Sequence, residues 1–372
     1  MIVGLGDLGG WVLEYLARRQ GVTTIIGCDK REDWGSRKVN VAASGSGTEG
    51  YDKTLKFEQC DVFDIDRTAE LLSKHNPDLI YTSMTLMSWA VLPYFPHDVH
   101  EDLKKIASAT MPMHLLLSYK LMQAVKKSGC EPVCVQNSWP DLVNPMLCRS
   151  GLKVHVGSGN LDNVVAEIGR KVSIKENVPI SDIKIYCLFE HSVNVMGTRT
   201  GISHFLKILI GDKDVTSKYD VDSLISDRLM SPCPPEWVSW IIHPQVAATA
   251  VKTIMAFIND TNELTHAPGP NGLIGGYPIR IGAKGVTIEL PQELTLAQAE
   301  QINIDGARAE GVEEIRKDGT LVLTDEARQI TKKLLGVELR EFNPSTVEDV
   351  VKELRPAFKK LSEKHNVKIP SY

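Results

Sequence analysis

The first 150 residues alternate between short apolar runs and segments in which apolar residues recur at helical spacing. Strands that alternate with helices favour a parallel sheet covered on both faces. We therefore expect a doubly wound α/β domain over residues 1–145. The apolar runs predict five strands, at Ile2–Gly4, Thr23–Cys28, Lys56–Cys60, Leu79–Thr82 and Pro132–Gln136. Helices are predicted between them, at Gly9–Arg19, Ile65–His75, Glu101–Ala107 and His114–Ser128.

The pattern changes after Asn144-Pro145, and no low-complexity linker separates the two halves. We therefore predict a second, α+β domain over residues 146–372, joined closely to the first and ending in a helical extension. Two capping-box patterns, Thr295-Leu-Ala-Gln298 and Ser345-Thr-Val-Glu348, predict the starts of two late helices. The other expected elements are helices at Asn160–Ile174 and Pro234–Thr261 and strands at Ile183–Leu188, Tyr277–Gly282 and Val286–Leu290.

The composition is that of a soluble globular protein, with 42% hydrophobic and 24% charged residues among 372. At roughly 100–200 residues per domain, this length fits two domains. The longest apolar runs, such as Met84–Pro93, are shorter than the roughly 18–20 residues of a spanning helix, so no membrane association is predicted. The net charge of −5 leaves no basic excess for a nucleic-acid backbone. We expect a small-molecule ligand instead.

The seven cysteines are scattered along the chain, and Cys130 and Cys134 form the only close pair. Cys134 falls inside a predicted strand and no second pair has metal-ligand spacing, so no metal site is predicted. Scattered free thiols fit a reducing compartment. The sequence also begins in a predicted strand, without the charged region and apolar run of an export signal. A cytoplasmic location is therefore expected.

A glycine-rich turn, Gly4-Leu-Gly6-Asp-Leu-Gly9, follows the first predicted strand and opens the first helix. In that context Gly4 permits a tight turn, Gly6 lets the backbone approach a pyrophosphate, and Gly9 allows close helix–strand packing. The helix N-terminus, with Asp7 and Leu8, would offer free N–H groups to the phosphates. These features predict a Rossmann dinucleotide-binding domain, although a strand, turn and helix without a ligand could show the same pattern.

Acidic residues follow the second and third predicted strands. Asp29 ends the second strand, where a carboxylate binds the ribose of a dinucleotide, and it favours NAD over NADP because it repels a 2′-phosphate. Asp61 and Val62 follow the third strand and are expected beneath the adenine. Lys30 and Arg31 could accept a 2′-phosphate, so NADP stays an alternative. We interpret these two residues as charges of a solvated loop.

Several segments are similar to those of the lactate/malate dehydrogenase superfamily, in the same order. Gly157-Ser-Gly-Asn-Leu-Asp162 resembles that family's Gly-Ser-Gly-Thr-Asn-Leu-Asp segment, and Glu190-His191 resembles the segment that carries its catalytic histidine. Asn137-Ser-Trp-Pro-Asp141 resembles its Asn-Pro-Val-Asp turn. Ser239-Trp240 is similar to part of the helix that closes its pocket, and residues 276–291 are similar to its late strand pair. The chain thus resembles a divergent member of that superfamily.

This resemblance spans roughly residues 1–310 and implies an NAD-dependent dehydrogenase that transfers a hydride between the nicotinamide and an alcohol or ketone. It implies His191 as the acid–base group, Asp162 as the carboxylate on its other ring nitrogen, and Asn137 as a residue that orients the nicotinamide or the substrate oxygen. A histidine suits the reaction, because a carbinol releases hydride only as its hydroxyl loses a proton to a base of near-neutral pKa. The family also suggests a homodimer or homotetramer.

Arginines that bind the substrate carboxylate in that family are missing here. The position of one of them is Val165, and the segment Thr82–Pro93 after the fourth strand has no cation. A buried carboxylate without a partner is costly, so the sequence disfavours lactate and malate. We expect a larger, mostly uncharged alcohol, polyol or ketone near Trp89 and Ser239, or a substrate whose acid group is held by Arg199.

Two other functions stay open from the sequence alone. Family 4 glycosidases share the implied fold and use NAD with a divalent metal, but Gly157–Asp162 lacks the cysteine they need. Cys187 lies four residues from His191 along the chain. A non-catalytic nucleotide-sensing module would fit the missing arginines, but it would not explain the retained aspartate and histidine.

Overall fold

A computed structural model describes residues 1–229 and 237–368. Its first half is organised by a six-stranded parallel sheet of order β3-β2-β1-β4-β5-β6. The strands are β1 (Ile2–Val3), β2 (Thr24–Asp29), β3 (Thr54–Gln59), β4 (Leu79–Thr82), β5 (Val133–Gln136) and β6 (Val156–Gly157). This is the order of a doubly wound Rossmann sheet, so the predicted fold class is confirmed. Because β6 belongs to it, the sheet continues beyond the predicted boundary at residue 145.

Helices connect these strands and cover the sheet. They are α1 (Asp7–Ala17), α2 (Glu32–Thr48), α3 (Ile65–His75), α4 (His97–Lys105), α5 (Ala107–Ser128) and α6 (Pro140–Arg149). Helix α3 has the predicted bounds, because Asp64 caps its start and Asn76 ends it in the left-handed conformation. Helix α2 was not predicted. Its glycines and serines have low helix propensity, and its two buried aliphatic side chains, Val39 and Ala42, give little periodicity.

The second part of the chain combines antiparallel sheets with helices, which confirms the predicted α+β class. One sheet contains β7 (Ile183–Leu188), β8 (Phe205–Ile210) and β9 (Lys213–Asp214), and another contains β10 (Leu264–Pro268), β11 (Gly276–Gly282) and β12 (Gly285–Ile288). The helices are α7 (Asn160–Glu176), α8 (His191–Met196), α9 (Val221–Ser226), α10 (Val238–Asn259) and α11 (Leu296–Ala309). The capping box predicted at Thr295 and Gln298 opens α11.

The C-terminal segment packs back onto the Rossmann domain. It contains β13 (Val312–Ile315), β14 (Leu321–Leu323), α12 (Asp325–Leu335), β15 (Glu341–Phe342) and α13 (Val347–Lys364). Leu354 and Phe358 of α13 share one apolar core with Leu103 and Leu121 of the first domain. The helix begins one residue later than the predicted cap at Ser345, with Thr346 as its N-cap. This segment therefore stabilises the outer face of α5.

One described helix, α10, is long and apolar enough to cross a membrane by length and composition alone. In the fold its Ala247, Ala250, Val251 and Ile254 are buried in a core that also contains residues of α1. Such burial is what a core helix of a globular protein shows. The first residues of the predicted helix Pro234–Thr261 lie outside the described residues.

Candidate active site

A cavity of about 510 Å³ lies where the carboxyl ends of the parallel strands face the second domain. In open α/β sheets this edge, at the switch in strand order between β1 and β4, is where ligands bind. Loops after the first five strands line one side of the cavity, and residues of α7, α8 and α10 line the other. The predicted site residues on its wall are Gly4, Gly6, Asp7, Leu8, Asp29, Asp61, Val62, Asn137 and His191.

The turn after β1 depends on its glycines. Gly4 has φ +94°, a conformation that L side chains rarely adopt. A Cβ on Gly9 would lie 1.9 Å from the carbonyl oxygen of Gly4, so only glycine lets α1 approach β1 this closely. Gly9 therefore packs against the backbone of the turn at Gly4, and it is absent from the described cavity wall. A Cβ on Gly6 would meet no atom within 4 Å, which leaves open space at this position.

The first turn of α1 fits a phosphate-binding role. Its N-cap, Gly6, has no side chain that could accept a hydrogen bond from the first N–H groups. The first helical hydrogen bond runs from the Gly10 N–H to the Gly6 carbonyl. The N–H groups before Gly10 therefore have no intrahelical partner, and Asp7 and Leu8 lie on the cavity wall. Open space beside free N–H groups fits the pyrophosphate of a dinucleotide.

Ser239 does not take its predicted place beside a substrate. Its hydroxyl donates a 2.7 Å hydrogen bond to Oδ2 of Asp7. Its carbonyl oxygen accepts a bond of 3.0 Å from the Trp11 indole. Ser239 therefore lies on the face of α10 that packs against α1, and it is absent from the described cavity wall.

Asp29 ends β2 with a buried carboxylate. The carboxylate accepts 2.9 Å hydrogen bonds from the N–H groups of Leu5 and Arg31, and it pairs with the Arg31 guanidinium at 3.1 Å. That guanidinium also lies 5.1 Å from the ring centroid of Trp34. Arg31 is therefore more than a solvated loop charge, because it is held against Asp29, and both Lys30 and Arg31 line the cavity.

Asn137 follows β5 and is fixed at both its backbone and its side chain. Its N–H donates to the Thr82 carbonyl at 2.9 Å, and its Oδ1 accepts a 2.7 Å bond from the Ser158 hydroxyl. The amide nitrogen is thereby left as a hydrogen-bond donor at the cavity wall. Asp61 and Val62, after β3, lie on the same wall.

His191 is the first residue of α8 and is 8% exposed. Its Nδ1 lies 2.6 Å from Oε1 of Glu310, the C-cap residue that follows α11. Its ring packs against the indole of Trp139, with 4.1 Å between centroids. Trp139 has φ +53°, a costly conformation for a bulky residue and one that is concentrated at functional sites. Glu310 and Trp139 together fix the imidazole.

The predicted pair of His191 and Asp162 is not formed in the described structure. Asp162, in the first turn of α7, instead binds Nζ of Lys252 in α10 at 2.5 Å. Burial raises the pKa of Asp162, and the nearby ammonium opposes that shift. The physical reason for the error is that both acids are buried, and residue spacing does not show which carboxylate faces the ring.

Three buried carboxyl groups act on His191: those of Asp141, Glu190 and Glu310. Burial, together with repulsion from the neighbouring acids, raises the pKa of Glu190 and Glu310 well above the usual carboxyl range. Burial also raises the pKa of Asp141, while it lowers the pKa of His191. Each carboxyl leaves one buried oxygen without a hydrogen-bond partner among the described residues. In such surroundings a carboxyl ionises only where a neighbouring donor or cation stabilises the anion, as the imidazole of His191 does for Glu310.

Arg228, which was not among the predicted site residues, lines the cavity together with Asn163 and Asn194. Its Nη2 pairs with the buried carboxylate of Glu167 at 2.7 Å, and its Nη1 donates to Oδ1 of Asn194 at 2.5 Å. The backbone N–H of Leu229 donates to the other oxygen of Glu167 at 2.7 Å. The charge of Arg228 is therefore compensated inside the protein.

The other predicted substrate residues lie elsewhere. Arg199, in the turn Thr198–Thr200, is exposed and pairs with Asp227 at 2.7 Å, because this turn faces solvent rather than the cavity. Val165 packs against the apolar core of the second domain. The side chain of Trp89 lies outside the described part of the structure.

Cys187 lies in the core of the second domain. It is fully buried, burial raises the pKa of its thiol, and its N–H donates to Nε2 of His266. Among residues 1–229 and 237–368, no group of three His, Cys, Asp or Glu side chains is arranged to hold a metal ion.

The site residues that were not predicted differ in whether a sequence motif points to them. Trp139 and Asp141 lie inside the segment Asn137–Asp141, so the resemblance already pointed to them. Glu310 carries no such signal, because it is the C-cap of a helix and is separated from His191 by 119 positions. Arg228 likewise belongs to no recognisable motif.

Solved structures match the fold of this chain, although no protein-family model and no curated protein matches it. A lactate dehydrogenase from a Medee basin deep-sea metagenome library matches with a TM-score of 0.59 and 15% identity over 83% of this chain and 95% of that chain. A lactate dehydrogenase from Eimeria maxima with NADH and oxamate gives 0.58 and 14% over 83% and 93%. A malate dehydrogenase from Plasmodium falciparum with NADH gives 0.56 and 16% over 83% and 95%. The chain therefore has the lactate/malate dehydrogenase fold in a divergent sequence.

Proposed function

We propose that the chain is an NAD-dependent oxidoreductase that transfers a hydride between a nicotinamide and an alcohol or ketone. The observation that carries this proposal is a single cavity that joins the glycine turn after β1 and the carboxylate of Asp29 to the imidazole of His191. Solved structures of the same fold include complexes with NADH. A dinucleotide site that reaches a buried acid–base group supports a redox reaction better than nucleotide sensing does.

The residues of the chain supply proton transfer and orientation, while a bound nicotinamide supplies the hydride acceptor or donor. With Nδ1 of His191 engaged by Glu310, Nε2 is the nitrogen left to take the hydroxyl proton in oxidation and to return it in reduction. The amide nitrogen of Asn137 provides a donor for the substrate oxygen or the nicotinamide. The indole of Trp139 covers the imidazole and keeps water from that side.

We propose NAD as the cofactor because of Asp29. Its buried carboxylate can accept a ribose hydroxyl, and it repels a 2′-phosphate. Arg31 is neutralised by the same carboxylate, so the pair offers a phosphate little net positive charge. Lys30 is the competing feature, since this cationic residue lines the same cavity.

The second-domain wall of the cavity supports an uncharged, polar substrate. A buried substrate carboxylate needs an uncompensated cation, whereas Arg228 is already paired with Glu167. Asn163 and Asn194 add amide groups that can bind hydroxyls or carbonyls. We therefore propose a polyol, a cyclic alcohol or the corresponding ketone as substrate.

Two measurements test the proposed function. Titration of the intrinsic fluorescence of the six tryptophans with NADH and NADPH should show tighter binding of NADH. Reduction of NAD should then proceed with sugar alcohols or cyclic alcohols and poorly with lactate and malate. Tighter binding of NADPH would overturn the cofactor assignment, and efficient turnover of lactate or malate would overturn the substrate class. Failure to bind either dinucleotide would reject the oxidoreductase as a whole.

A further inference from the structure

We infer that Glu310, rather than Asp162, is the positioning residue of His191: it holds the ring through Nδ1 and supplies the negative charge that stabilises the protonated imidazole. This inference rests on the proposed function, in which His191 exchanges a proton with the substrate. Glu310 is absent from the described cavity wall, so it acts through His191.

The contact between the two side chains is short and buried. Oε1 of Glu310 lies 2.6 Å from Nδ1 of His191, and the glutamate is fully inaccessible to solvent. A charge-assisted hydrogen bond in such surroundings is stronger than one in water. The backbone of His191 is fixed as well, because Glu190 caps α8 by accepting the N–H of Ser192 at 2.7 Å.

The backbone of Glu310 is held as firmly as its side chain. Its carbonyl oxygen accepts the N–H of Ser108 at 3.2 Å, and its own N–H donates to Ala307 at 3.2 Å. Gly311 follows with φ +92°, and a Cβ there would lie 2.8 Å from the carbonyl oxygen of Lys105. The segment is therefore locked between α11 and the start of α5. Such support keeps a catalytic group in its productive geometry.

Asp162 is committed to another partner. Its Oδ1 binds Lys252 at 2.5 Å, so the negative charge of this buried carboxylate is compensated within the α7–α10 contact. Turning it toward His191 would leave Lys252 without this partner. Glu310 has no lysine or arginine partner among the described residues, and its hydrogen bond to His191 is the contact that satisfies Oε1.

The proton count of the pair gives a measurable signature. In the acid form His191 and Glu310 together hold two protons, and in the base form they hold one, with an anionic carboxylate facing the Nδ1–H. The other titratable groups that act on the pair are Asp141, Glu190 and His114. Removing the Glu310 charge makes the protonated imidazole less stable in this buried site. The base form should then appear at lower pH.

The experiment compares kcat/KM for alcohol oxidation across pH in four full-length proteins: wild type, Glu310→Gln, Asp162→Asn and Glu313→Gln. Glu313 is an exposed glutamate that pairs with Arg308 and serves as the matched control. We expect Glu310→Gln to lower kcat by about 100-fold or more. Its acidic limb should move to lower pH by about 1–3 units. Asp162→Asn and the control should keep the wild-type midpoint.

Nitrogen NMR of the His191 ring, assigned with His191→Gln, follows the same titration without substrate or cofactor. A lower midpoint in Glu310→Gln supports the inference, and an unchanged midpoint overturns it, as does a shift confined to Asp162→Asn. If circular dichroism shows that Glu310→Gln does not fold, Glu310→Asp keeps the charge at a shorter reach. Its kcat should fall while the NMR midpoint stays near that of wild type, and an unchanged kcat would overturn the positioning role. Failure of the proposed function appears separately, as absent dinucleotide binding in wild type.

Discussion

The proposed nucleotide end and the proposed catalytic end of the cavity are built in different ways. The nucleotide end consists of short stretches at successive strand ends: Gly4–Gly9 after β1, Asp29 at the end of β2 and Asp61–Val62 after β3. The catalytic end brings His191 against Glu310, a residue 119 positions away along the chain. The first end is therefore formed by short continuous segments of sequence, whereas the second brings together residues that are distant in sequence and meet only in the folded chain.

This difference has a physical origin. Cradling a phosphate with backbone N–H groups requires particular backbone conformations, and those restrict the residue type, as Gly4 and Gly9 show. Holding a buried imidazole requires only a carboxylate within hydrogen-bond reach, which any packed element can supply. Both Asp162 and Glu310 satisfy that requirement chemically, and only tertiary packing separates them.

The strongest test of the independence of the two ends is His191→Gln. Loss of the acid–base group should lower kcat by about 10²–10⁴-fold. The dissociation constant of NADH should change only within a few-fold, because the glycine turn and Asp29 are untouched. Stopped-flow turnover and fluorescence titration measure the two quantities on one preparation. Parallel loss of binding would show that the ends are coupled, and retained turnover would move the base to His243, which also lines the cavity.

A smaller effect is expected from Arg228→Gln at the catalytic end. Arg228 lines the cavity, so we expect it to donate a hydrogen bond to an uncharged substrate, and loss of that bond should raise KM by about 10–100-fold with little change in NADH affinity. The variant should also be less stable, because Glu167 is left buried without its cation. The double variant Glu167→Gln/Arg228→Gln should recover the melting temperature but not KM. A normal KM in the double variant would limit Arg228 to a structural role.

The fold was far more predictable than the catalytic contacts. The strand Leu79–Thr82 and the helix Ile65–His75 have their predicted bounds, because periodic burial and end signals lie within each segment. Helix α2 was missed because its glycine- and serine-rich sequence gains helical stability mainly from packing. The partners of His191 and the position of Arg228 depend on contacts between distant elements, which a single sequence does not display.

The buried acids of the catalytic end predict a pH-dependent stability that Glu190→Gln should reveal. Burial raises the pKa of Glu190 above its unfolded value, so the folded protein holds more protons and loses stability as pH rises from about 4.5 through the folded pKa. The variant lacks this titration. Its advantage in unfolding free energy should grow with pH by at most about 1.4 kcal/mol per unit. Thermal melts from pH 5 to 9 measure it, and parallel curves for the two proteins would contradict the assignment.

The smallest effect is expected at the nucleotide end, from Arg31→Ala. Its guanidinium is partly exposed, and ion pairs of this kind contribute about 0.2–1 kcal/mol, so the affinity for NADH should change by no more than about fivefold. Arg37→Ala, at an exposed position of α2, is the matched control for removing a positive charge. Asp29→Asn should instead weaken the preference for NADH over NADPH, because the carboxylate that repels a 2′-phosphate is gone. If Arg31→Ala selectively abolished NADPH binding, Arg31 would bind the phosphate directly, and this end of the cavity would use side chains for recognition as much as the catalytic end does.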